Sequence, residues 1–269
     1  MIKPLNYRGF FDPLGGIMQN RITLATLALA LSATTFTAHA DTFLGIRAGA
    51  GMWNPTTSGS VGPDAIDMEN ELGIDKENQN YYYASIEHPV PLVPNIRLQH
   101  TELDVTGTGE LDVAARLDDL AFTPDIPVTT SIDLSHTDLT LYYEILDNVV
   151  EADVGLTFRQ FDSTLTMTTA LETESVTVDG VIPMIHLGAA VNLPFTGLSV
   201  AATIDALSYD DYTMSDTKAE ITFETEFTPV ITLNLKAGYR ILELELDEAD
   251  DVTADIEFDG PYAGIELYF

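Results

Sequence analysis

Apolar and polar residues alternate at every second position through most of the chain beyond residue 42. In Val150–Arg159, one set of alternate positions is valine, alanine, leucine and phenylalanine, while the other set is mostly charged or small. Because successive side chains of a β-strand point to opposite faces, this period predicts strands with one apolar and one polar face. Helical periodicity is almost absent, so the pattern indicates an all-β protein.

The alternation predicts ten antiparallel strands, and eight if one weak hairpin is not formed. They lie at Phe43–Trp53, Gln79–Glu87, Asn95–Thr101, Ile132–Leu146, Val150–Arg159, Val181–Asn192, Leu198–Ala206, Glu220–Phe227, Leu233–Ile241 and Pro261–Phe269. In the fourth strand, Ile132 and Leu134 have the opposite parity to Leu139 and Tyr143. A bulge or a rim position near His136 is therefore expected.

The connections between these strands alternate between long and short. Short turns are predicted at His88–Pro94, Asp147–Asn148, Leu193–Gly197 and Thr228–Pro229, and longer loops at Asn54–Asn78, Asp104–Thr130, Thr169–Gly180, Asp210–Thr217 and Asp247–Thr253. A helical turn is expected at Val113–Leu120. Transmembrane barrels have an even strand count, short periplasmic turns and longer external loops. The pattern thus predicts a transmembrane, antiparallel, up-and-down β-barrel.

The first 40 residues have the pattern of an export signal. Arg21 precedes an apolar run that begins at Leu24, and Ala38-His39-Ala40 has the small-x-small form of a cleavage site. The run is too short to span a bilayer as a helix, which takes about 20 apolar residues. We expect residues 1–40 to be an N-terminal extension with a signal peptide, and residues 41–269 to be the barrel.

Charge and cysteine content narrow the function classes. The 269 residues carry 43 acidic and 11 basic side chains, for a net charge of −32, and contain no cysteine. A nucleic-acid partner is excluded because phosphate binding needs a basic surface. Stability must come from the strand ladder of a closed barrel, since no disulfide is available.

Charged residues of both signs share the polar face of the predicted strands. The predicted lumen charge network consists of Arg47, Arg97, Arg159, Lys236 and Arg240 with Glu87, Glu144, Glu151, Asp153, Asp205, Glu224 and Glu266. If the apolar face contacts lipid, these charges meet inside a narrow bore and form ion pairs. Alternation alone leaves open a soluble periplasmic β-sandwich, whose charges would face water.

Three short segments resemble a known group of proteins. Phe43–Trp53, Gly238–Arg240 and Gly260–Gly264 before the final Phe269 are similar to small outer-membrane β-barrels, the broad group of outer membrane protein W-like and OmpA-like porins. Alternate residues Ala263, Ile265, Leu267 and Phe269 resemble the C-terminal signal read by the barrel-insertion machinery. The resemblance implies a monomer in the outer membrane of a Gram-negative bacterium, in contact with lipid and lipopolysaccharide.

Function is predicted only as a class. A barrel of this group implies a narrow channel for small molecules or an envelope-structure protein; the alternatives are adhesion or ligand binding through the long acidic loops, or the soluble sandwich. No catalytic motif is present and only Asp133 and Ser135 could share a face near a histidine, so we expect no enzyme and no cofactor. No metal site is predicted, apart from a weak calcium candidate at Asp247, Asp250 and Asp251.

Overall fold

A computed structural model describes the fold of residues 5–7, 44–62, 65–74, 76–90, 92–110, 116–117, 120–121, 126–170, 173–228, 231–249 and 252–269. Ten of its strands form one barrel wall. They are β1 (Gly45–Trp53), β2 (Gln79–Glu87), β3 (Asn95–Thr101), β4 (His136–Leu146), β5 (Val150–Thr168), β6 (Thr173–Leu193), β7 (Leu198–Tyr209), β8 (Tyr212–Thr228), β9 (Ile231–Ala249) and β10 (Val252–Tyr268).

Each barrel strand pairs antiparallel with the next along the chain, and β10 returns to pair with β1. At the closure, Leu267 lies opposite Ala48 and Ala263 lies opposite Met52. The prediction of an all-β, ten-stranded, up-and-down barrel is confirmed, with the tenth strand closing it. The eight-stranded alternative and the β-sandwich are wrong, because a sandwich would leave free sheet edges that this wall does not have.

We call the end of the barrel that holds Leu44 and Phe269 the proximal end. The short turns at 88–94, 147–149 and 194–197 lie there, and β8 and β9 also connect there. At the opposite, distal end lie the two long connecting segments, 54–78 and 102–135, which were predicted as loops but contain strands.

The three other predicted distal loops are wrong. β5 and β6, β7 and β8, and β9 and β10 run on as long hairpins, whose strands end at Thr168, Tyr209 and Ala249 and resume within a few residues. The residues assigned to loops at Thr169–Gly180, Asp210–Thr217 and Asp247–Thr253 therefore mostly belong to strands. In these residues apolar and polar side chains still alternate, but the apolar ones move to the other face of the strand. The predicted strands ended where that exchange begins.

The predicted fourth strand is two strands. Pro127–Asp133 and β4 both pair with β5 in one continuous register, with Asp133 opposite Thr164 and His136 opposite Phe161, so the bulge expected near His136 is not formed. Ile132 and His136 both face inward, and what changes between them is which side of the strand is apolar. Pro127–Asp133 also pairs with Asp104–Glu110, so the long segment 102–135 is largely a hairpin extending the wall. Within the predicted helical turn Val113–Leu120, Arg116–Leu117 pairs with Leu120–Ala121; the other residues of that turn lie outside the described residues.

The first distal segment also continues the wall. Thr56–Val61 pairs with the distal half of β10 and then with the short strand Ile66–Asp67. Of the predicted N-terminal extension and signal peptide, only Leu5–Tyr7 is described, and it pairs in parallel with Val176–Val178 of β6. The remainder of residues 1–40 lies outside the described residues.

The polarity of both barrel faces reverses at one height. Inward positions of β9 pass from Lys236 and Arg240 to the buried Leu242 and Leu246, while outward positions pass from apolar residues to Glu243 and Glu245. The same reversal occurs on β5, between Arg159 and Phe161 inside and between Phe158 and Gln160 outside. The proximal half is thus apolar outside, and the distal half is apolar inside.

The distal interior is a packed apolar core. Its main cluster, which we call the distal core, contains Trp53, Val61, Ile66, Met68, Leu72, Ile74, Tyr81, Leu103, Val105, Val128, Ile132, Met167, Leu242, Leu246, Ala254, Ile256, Phe258 and Tyr262. A second cluster contains Phe161, Ile182, Met184 and Met214. Because Ile66, Met68, Leu72 and Ile74 belong to the core, the first distal segment closes the distal end of the barrel rather than standing free in solvent.

Glycines of β1 make room for large side chains of β2. A Cβ on Gly49 would lie 2.5 Å from the ring of Tyr83, and one on Gly51 would lie 2.4 Å from both the Tyr81 hydroxyl and the Ala263 carbonyl oxygen. These distances are far inside van der Waals contact, so only glycine fits. Small residues on the inward face of β1 therefore let Tyr81 and Tyr83 enter a narrow bore.

Candidate functional site

An apolar belt surrounds the proximal half of the barrel. On β5 it comprises the outward residues of Val150–Phe158, and on β9 those of Leu233–Ile241. Nine residues cover roughly 30 Å of strand, which a tilt of about 40° reduces to roughly 23 Å along the barrel axis. That height is close to the apolar band of about 25 Å typical of outer-membrane barrels, so the chain has the fold of a transmembrane, porin-like outer-membrane β-barrel.

Across the described residues, no helix is both long and apolar enough to cross a bilayer.

The candidate functional site is the polar interior enclosed by this belt. All twelve residues of the predicted lumen charge network face that interior, and ten of them line a single cavity of about 320 Å³. Those ten are Arg47, Arg97, Lys236, Arg240, Glu87, Glu144, Glu151, Asp153, Glu224 and Glu266. The other two, Arg159 and Asp205, are buried beyond the cavity.

Ion pairs brace the walls of the cavity. Arg47 Nε lies 3.0 Å from Glu87 Oε1, and Lys236 Nζ lies 2.9 Å from Glu220 Oε1 and 3.4 Å from Glu266 Oε2. Tyr83 donates a hydrogen bond to Glu266 at 2.7 Å. The pairs link β1 to β2 and join β8, β9 and β10, so they hold the wall around the cavity.

The cavity is closed on its distal side by a buried ionic layer. We call His136, Asp138, Arg159, Asp216 and Arg240 the sealing layer. Arg159 donates two hydrogen bonds of 2.7 Å to Asp138 and a further bond to Asp216. Arg240 donates to Asp216 at 2.9 and 2.6 Å. Asp216 therefore accepts from two guanidinium groups on opposite sides.

The sealing layer leaves no opening for water in this conformation. Arg159 and Asp216 are 0% exposed, and His136 is 1% exposed. Arg240 also lies over the ring of Trp53, with its Cζ 4.5 Å from the ring centroid. Trp53 belongs to the distal core, so the sealing layer is in direct contact with the distal core.

His136, Asp138 and Asp216 lie close enough together to suggest a metal site, but their atoms are already engaged. Both carboxylates are bonded to arginines, and His136 Nε2 accepts from Arg240 at 3.2 Å. Since that nitrogen accepts, Nδ1 carries the proton and donates to the Leu134 carbonyl oxygen at 2.9 Å. Two guanidinium groups at this position disfavour a cation, so the cluster is an ion-pair network.

Several interior residues were not in the predicted network. Asp138, Asp216, Glu220, Lys218 and His186 all carry charge or hydrogen bonds inside the barrel. His186 Nδ1 lies 2.9 Å from Asp205, which also accepts from Thr157. The alternation of β4 and β8 already put Asp138 and Glu220 on the polar face. Asp216 and Lys218 lay in or beside a segment that was assigned to a turn.

The remaining predicted site residues lie apart from this interior. Ala263, Ile265, Leu267 and Phe269 share the outward face of the closing strand, and Phe269 exchanges backbone hydrogen bonds with Ile46. Of the weak calcium candidate, Asp250 and Asp251 lie outside the described residues, and only the backbone of Asp247 is described, in β9.

The possible catalytic pair, Asp133 and Ser135, forms hydrogen bonds with nearby backbone groups. An oxygen of Asp133 accepts from the Ser135 backbone N–H at 2.9 Å, and Ser135 Oγ accepts from the Leu103 backbone N–H at 3.1 Å.

No protein-family model matches the chain, and no curated protein sequence matches it.

Solved structures with a similar course of the chain are outer-membrane proteins at very low sequence identity. The outer membrane protease OmpT from Escherichia coli is 11% identical, covering 87% of this chain and 98% of its own, with a TM-score of 0.45. The transport unit of the autotransporter AIDA-I from Escherichia coli is 9% identical, with 89% and 93% covered and a TM-score of 0.37. The CymD monoaromatic hydrocarbon channel is 10% identical, with 83% and 88% covered and a TM-score of 0.28. All three TM-scores are below 0.5, so the fold described above rests on this chain's own strand pairing.

Proposed function

We propose that this chain is an envelope-structure protein of the Gram-negative outer membrane, with a bore that is sealed in its resting state. The observation that carries the proposal is the sealing layer. Its charged side chains are buried and paired, and the distal core covers them. A static channel would need a continuous wet path past Arg159, Asp216 and Arg240, and that path is filled by their ion pairs. Of the two predicted functions, the structural one is therefore favoured over the open channel.

The apolar belt supports a position in a membrane. Its outward leucine, valine, isoleucine and aromatic side chains are exposed in the isolated chain, and together they form a continuous band around the barrel. Monomeric soluble proteins rarely expose a continuous apolar surface, and their largest apolar patches are about 300–600 Å². In the proposal the partners are outer-membrane lipid, lipopolysaccharide and the barrel-insertion machinery. The protein acts as a monomer and catalyses no reaction.

Two measurements test the proposal. Fractionation of cells, combined with SDS gels of boiled and unboiled samples, should find a heat-modifiable band in the outer membrane. Single-channel recording of the purified protein in planar bilayers should then show no discrete openings, with an open porin recorded in the same bilayers as a positive control. Frequent stepwise openings of the unliganded protein would contradict the sealed bore. A protein that stays folded and soluble without detergent would contradict the membrane location.

Ligand binding is a second candidate function, but the structure moves it from the loops to the cavity. The first acidic loop, predicted to offer an external adhesive surface, instead places five apolar side chains in the distal core. The cavity, by contrast, is polar and opens toward the proximal end, where Glu144 and Glu224 are exposed. Its volume falls at the lower end of the range for small-molecule sites, about 300–1,000 Å³.

A further inference from the structure

Two cations in the cavity wall, Arg97 and Lys218, have no carboxylate oxygen within 4.0 Å among the described residues, unlike their neighbours Arg47 and Lys236. Arg97 points into the cavity from β3, and among the described residues no carboxylate oxygen lies within 4.0 Å of its guanidinium nitrogens. Its buried Nε makes no hydrogen bond. Arg47 and Lys236 line the same cavity, and each lies within 4.0 Å of two carboxylates. Arg47 pairs with Glu87 and Glu266, and Lys236 pairs with Glu220 and Glu266. Leaving a buried charged donor unpaired is unfavourable, so Arg97 is poised for an acceptor that the chain itself does not supply.

Two aromatic rings fix the position of this free guanidinium. Its Cζ lies 5.7 Å from the centroid of the Tyr83 ring and 5.9 Å from that of the Tyr142 ring. Cation–π contacts of this kind hold a guanidinium in place without using its N–H donors. The fork of Arg97 thus remains available, and its planar donor geometry matches a carboxylate in two parallel hydrogen bonds.

Four acidic side chains lie between Arg97 and the proximal opening. Glu144, Glu151, Asp153 and Glu224 line the cavity, and no lysine or arginine among the described residues is within 4.0 Å of them. We call them the mouth carboxylates. Glu144 lies directly opposite Asp153 across the β4–β5 pair, so two like charges stand side by side. Such a pair is unfavourable unless a cation lies between them.

The cavity therefore presents unpaired cations inside, Arg97 and Lys218, and the unpaired mouth carboxylates at its proximal opening. A simple anion would have to pass the mouth carboxylates to reach Arg97, and a simple cation would leave Arg97 unpaired. Arg97 lies opposite Thr140, four positions before Glu144, but its guanidinium extends to the Tyr142 ring, with Cζ 5.9 Å from the centroid. From the level of Tyr142, Glu144 is two positions further along the inward face of β4, an advance of about 6.7 Å. Two residues of extended peptide span at most about 7 Å, so a dipeptide can reach from one set of charges to the other.

We propose that the cavity binds a zwitterion of dipeptide size. Its carboxylate accepts from the guanidinium of Arg97, and its ammonium donates to Glu144 and Asp153. The ion pairs of Arg47 and Lys236 hold the wall and do not contact the ligand. A ligand can reach the cavity from the proximal end without passing the sealing layer. The inference therefore goes beyond the proposed structural role, and it does not depend on whether the protein conducts ions.

The chain carries its own reporter for this binding. Trp53 is its single tryptophan and lies in the ceiling of the cavity, against Arg240. Selective excitation of tryptophan in the detergent-solubilised, folded protein therefore follows occupancy without a label. Three probes of nearly equal size separate the charges: alanyl-alanine is zwitterionic, N-acetyl-alanyl-alanine is anionic only, and alanyl-alanine amide is cationic only. Calorimetric titration with the same probes checks the fluorescence.

We expect saturable binding of alanyl-alanine, and binding at least about tenfold weaker for each of the two singly charged probes. Arg97→Gln should weaken alanyl-alanine at least about tenfold and change alanyl-alanine amide little. Glu144→Gln, at the exposed mouth where folding is not at risk, should weaken alanyl-alanine and leave N-acetyl-alanyl-alanine unchanged. Lys76→Gln removes a charge from an exposed loop position and should alter none of these affinities.

Three results would overturn the binding proposal. Folded protein that shows no saturable response to alanyl-alanine has no such site. Equal affinity for all three probes would show that charge does not select the ligand. Unchanged binding in both Arg97→Gln and Glu144→Gln would place any bound dipeptide elsewhere. Conductance of the wild-type protein in bilayers would contradict the sealed bore and leave these binding results unaffected.

Discussion

At the residue scale, the interior is organised by the pairing of particular carboxylates with particular guanidinium groups. Arg159 bonds to Asp138 on the adjacent strand β4, but it also bonds to Asp216 on β8, across the bore. The adjacent-strand pair follows from register once two neighbouring strands are placed. The pair across the bore depends on strand number and stagger, which set which side chains meet inside. The alternation of the sequence therefore indicates which residues face inward, but not that Asp216 joins Arg159 to Arg240.

Replacing Asp216 should test that junction. Asp216→Asn keeps the shape of the side chain but leaves two buried guanidinium groups without their shared carboxylate. Removing one partner from a buried ion pair typically costs about 3–5 kcal/mol, so we expect a loss of unfolding free energy of that order. Urea unfolding in lipid vesicles, followed by the fluorescence of Trp53, measures it. Asp211→Asn, in the exposed β7–β8 turn, is the matched control and should change the unfolding free energy by less than about 0.5 kcal/mol. Equal midpoints for the two variants would mean that the sealing layer does not hold the fold.

At the element scale, one strand serves two environments in succession. β10 places Asp255, Glu257 and Asp259 outward in its distal half, and Ala263, Ile265 and Leu267 outward in its proximal half. β9 behaves the same way, so Glu243 lies opposite Glu257 and Glu245 lies opposite Asp255. The exterior of the distal half is thus a ladder of like charges. Water and salt must offset their repulsion, because among the described residues no cation is paired with these five carboxylates.

The ladder should make stability depend on pH. Partial burial, and then the neighbouring carboxylates of Asp259, Glu243 and Asp255, raise the pKa of Glu257 above its usual value of about 4.3. A carboxyl with a higher pKa in the folded protein binds its proton more tightly when folded. Its contribution therefore favours folding below that raised pKa and is lost as pH rises through it.

Glu257→Gln should accordingly stabilise the protein at neutral pH. We expect a gain of about 0.5 kcal/mol, small because solvent screens the charges. The gain should shrink as pH is lowered toward the ordinary glutamate pKa, and also in about 1 M salt, where the screening length is about 3 Å. The gain is measured as the difference in urea midpoint between the variant and the wild type, at neutral pH and near the glutamate pKa, and in low and high salt. Glu77→Gln removes one exposed charge away from the ladder and should leave the midpoint unchanged; an equal gain there would trace the effect to net charge alone.

At the scale of the whole molecule, the sequence predicts the number of strands, their order and the closure by β10, because each strand carries its own alternation and the turns punctuate it. The interior residues follow from the same parity. The predictions fail where the polarity reverses: Leu242, Leu244 and Leu246 alternate with acids as regularly as the residues before them. That run has the strand period but places its apolar residues on the opposite face, so a prediction that fixes the apolar face once ends the strand at Ile241. The free state of Arg97 was not predictable either, because it depends on the positions of Glu87 and Glu266 in space.

The absence of cysteine allows the orientation and the belt to be mapped with single replacements. Asp162→Cys is outward in the distal half, Asp147→Cys is in a proximal turn, and Leu156→Cys is in the apolar belt. On intact cells, a membrane-impermeant maleimide should label only Asp162→Cys. Asp147→Cys should react after the outer membrane is permeabilised, and Leu156→Cys only after denaturation. Reaction of Leu156→Cys in the folded, membrane-embedded protein would show that lipid does not cover the belt.

The reversal of polarity bears on the chain before it has folded. A polypeptide that reaches a bilayer from an aqueous compartment must survive there unpaired, and long apolar strands are prone to aggregate in that state. Here the carboxylates that end up outside the distal wall stand between the apolar residues of the same strands, so each long hairpin carries its own negative charge in transit. With a net charge of −32, the unpaired hairpins repel one another until a membrane accepts their proximal halves.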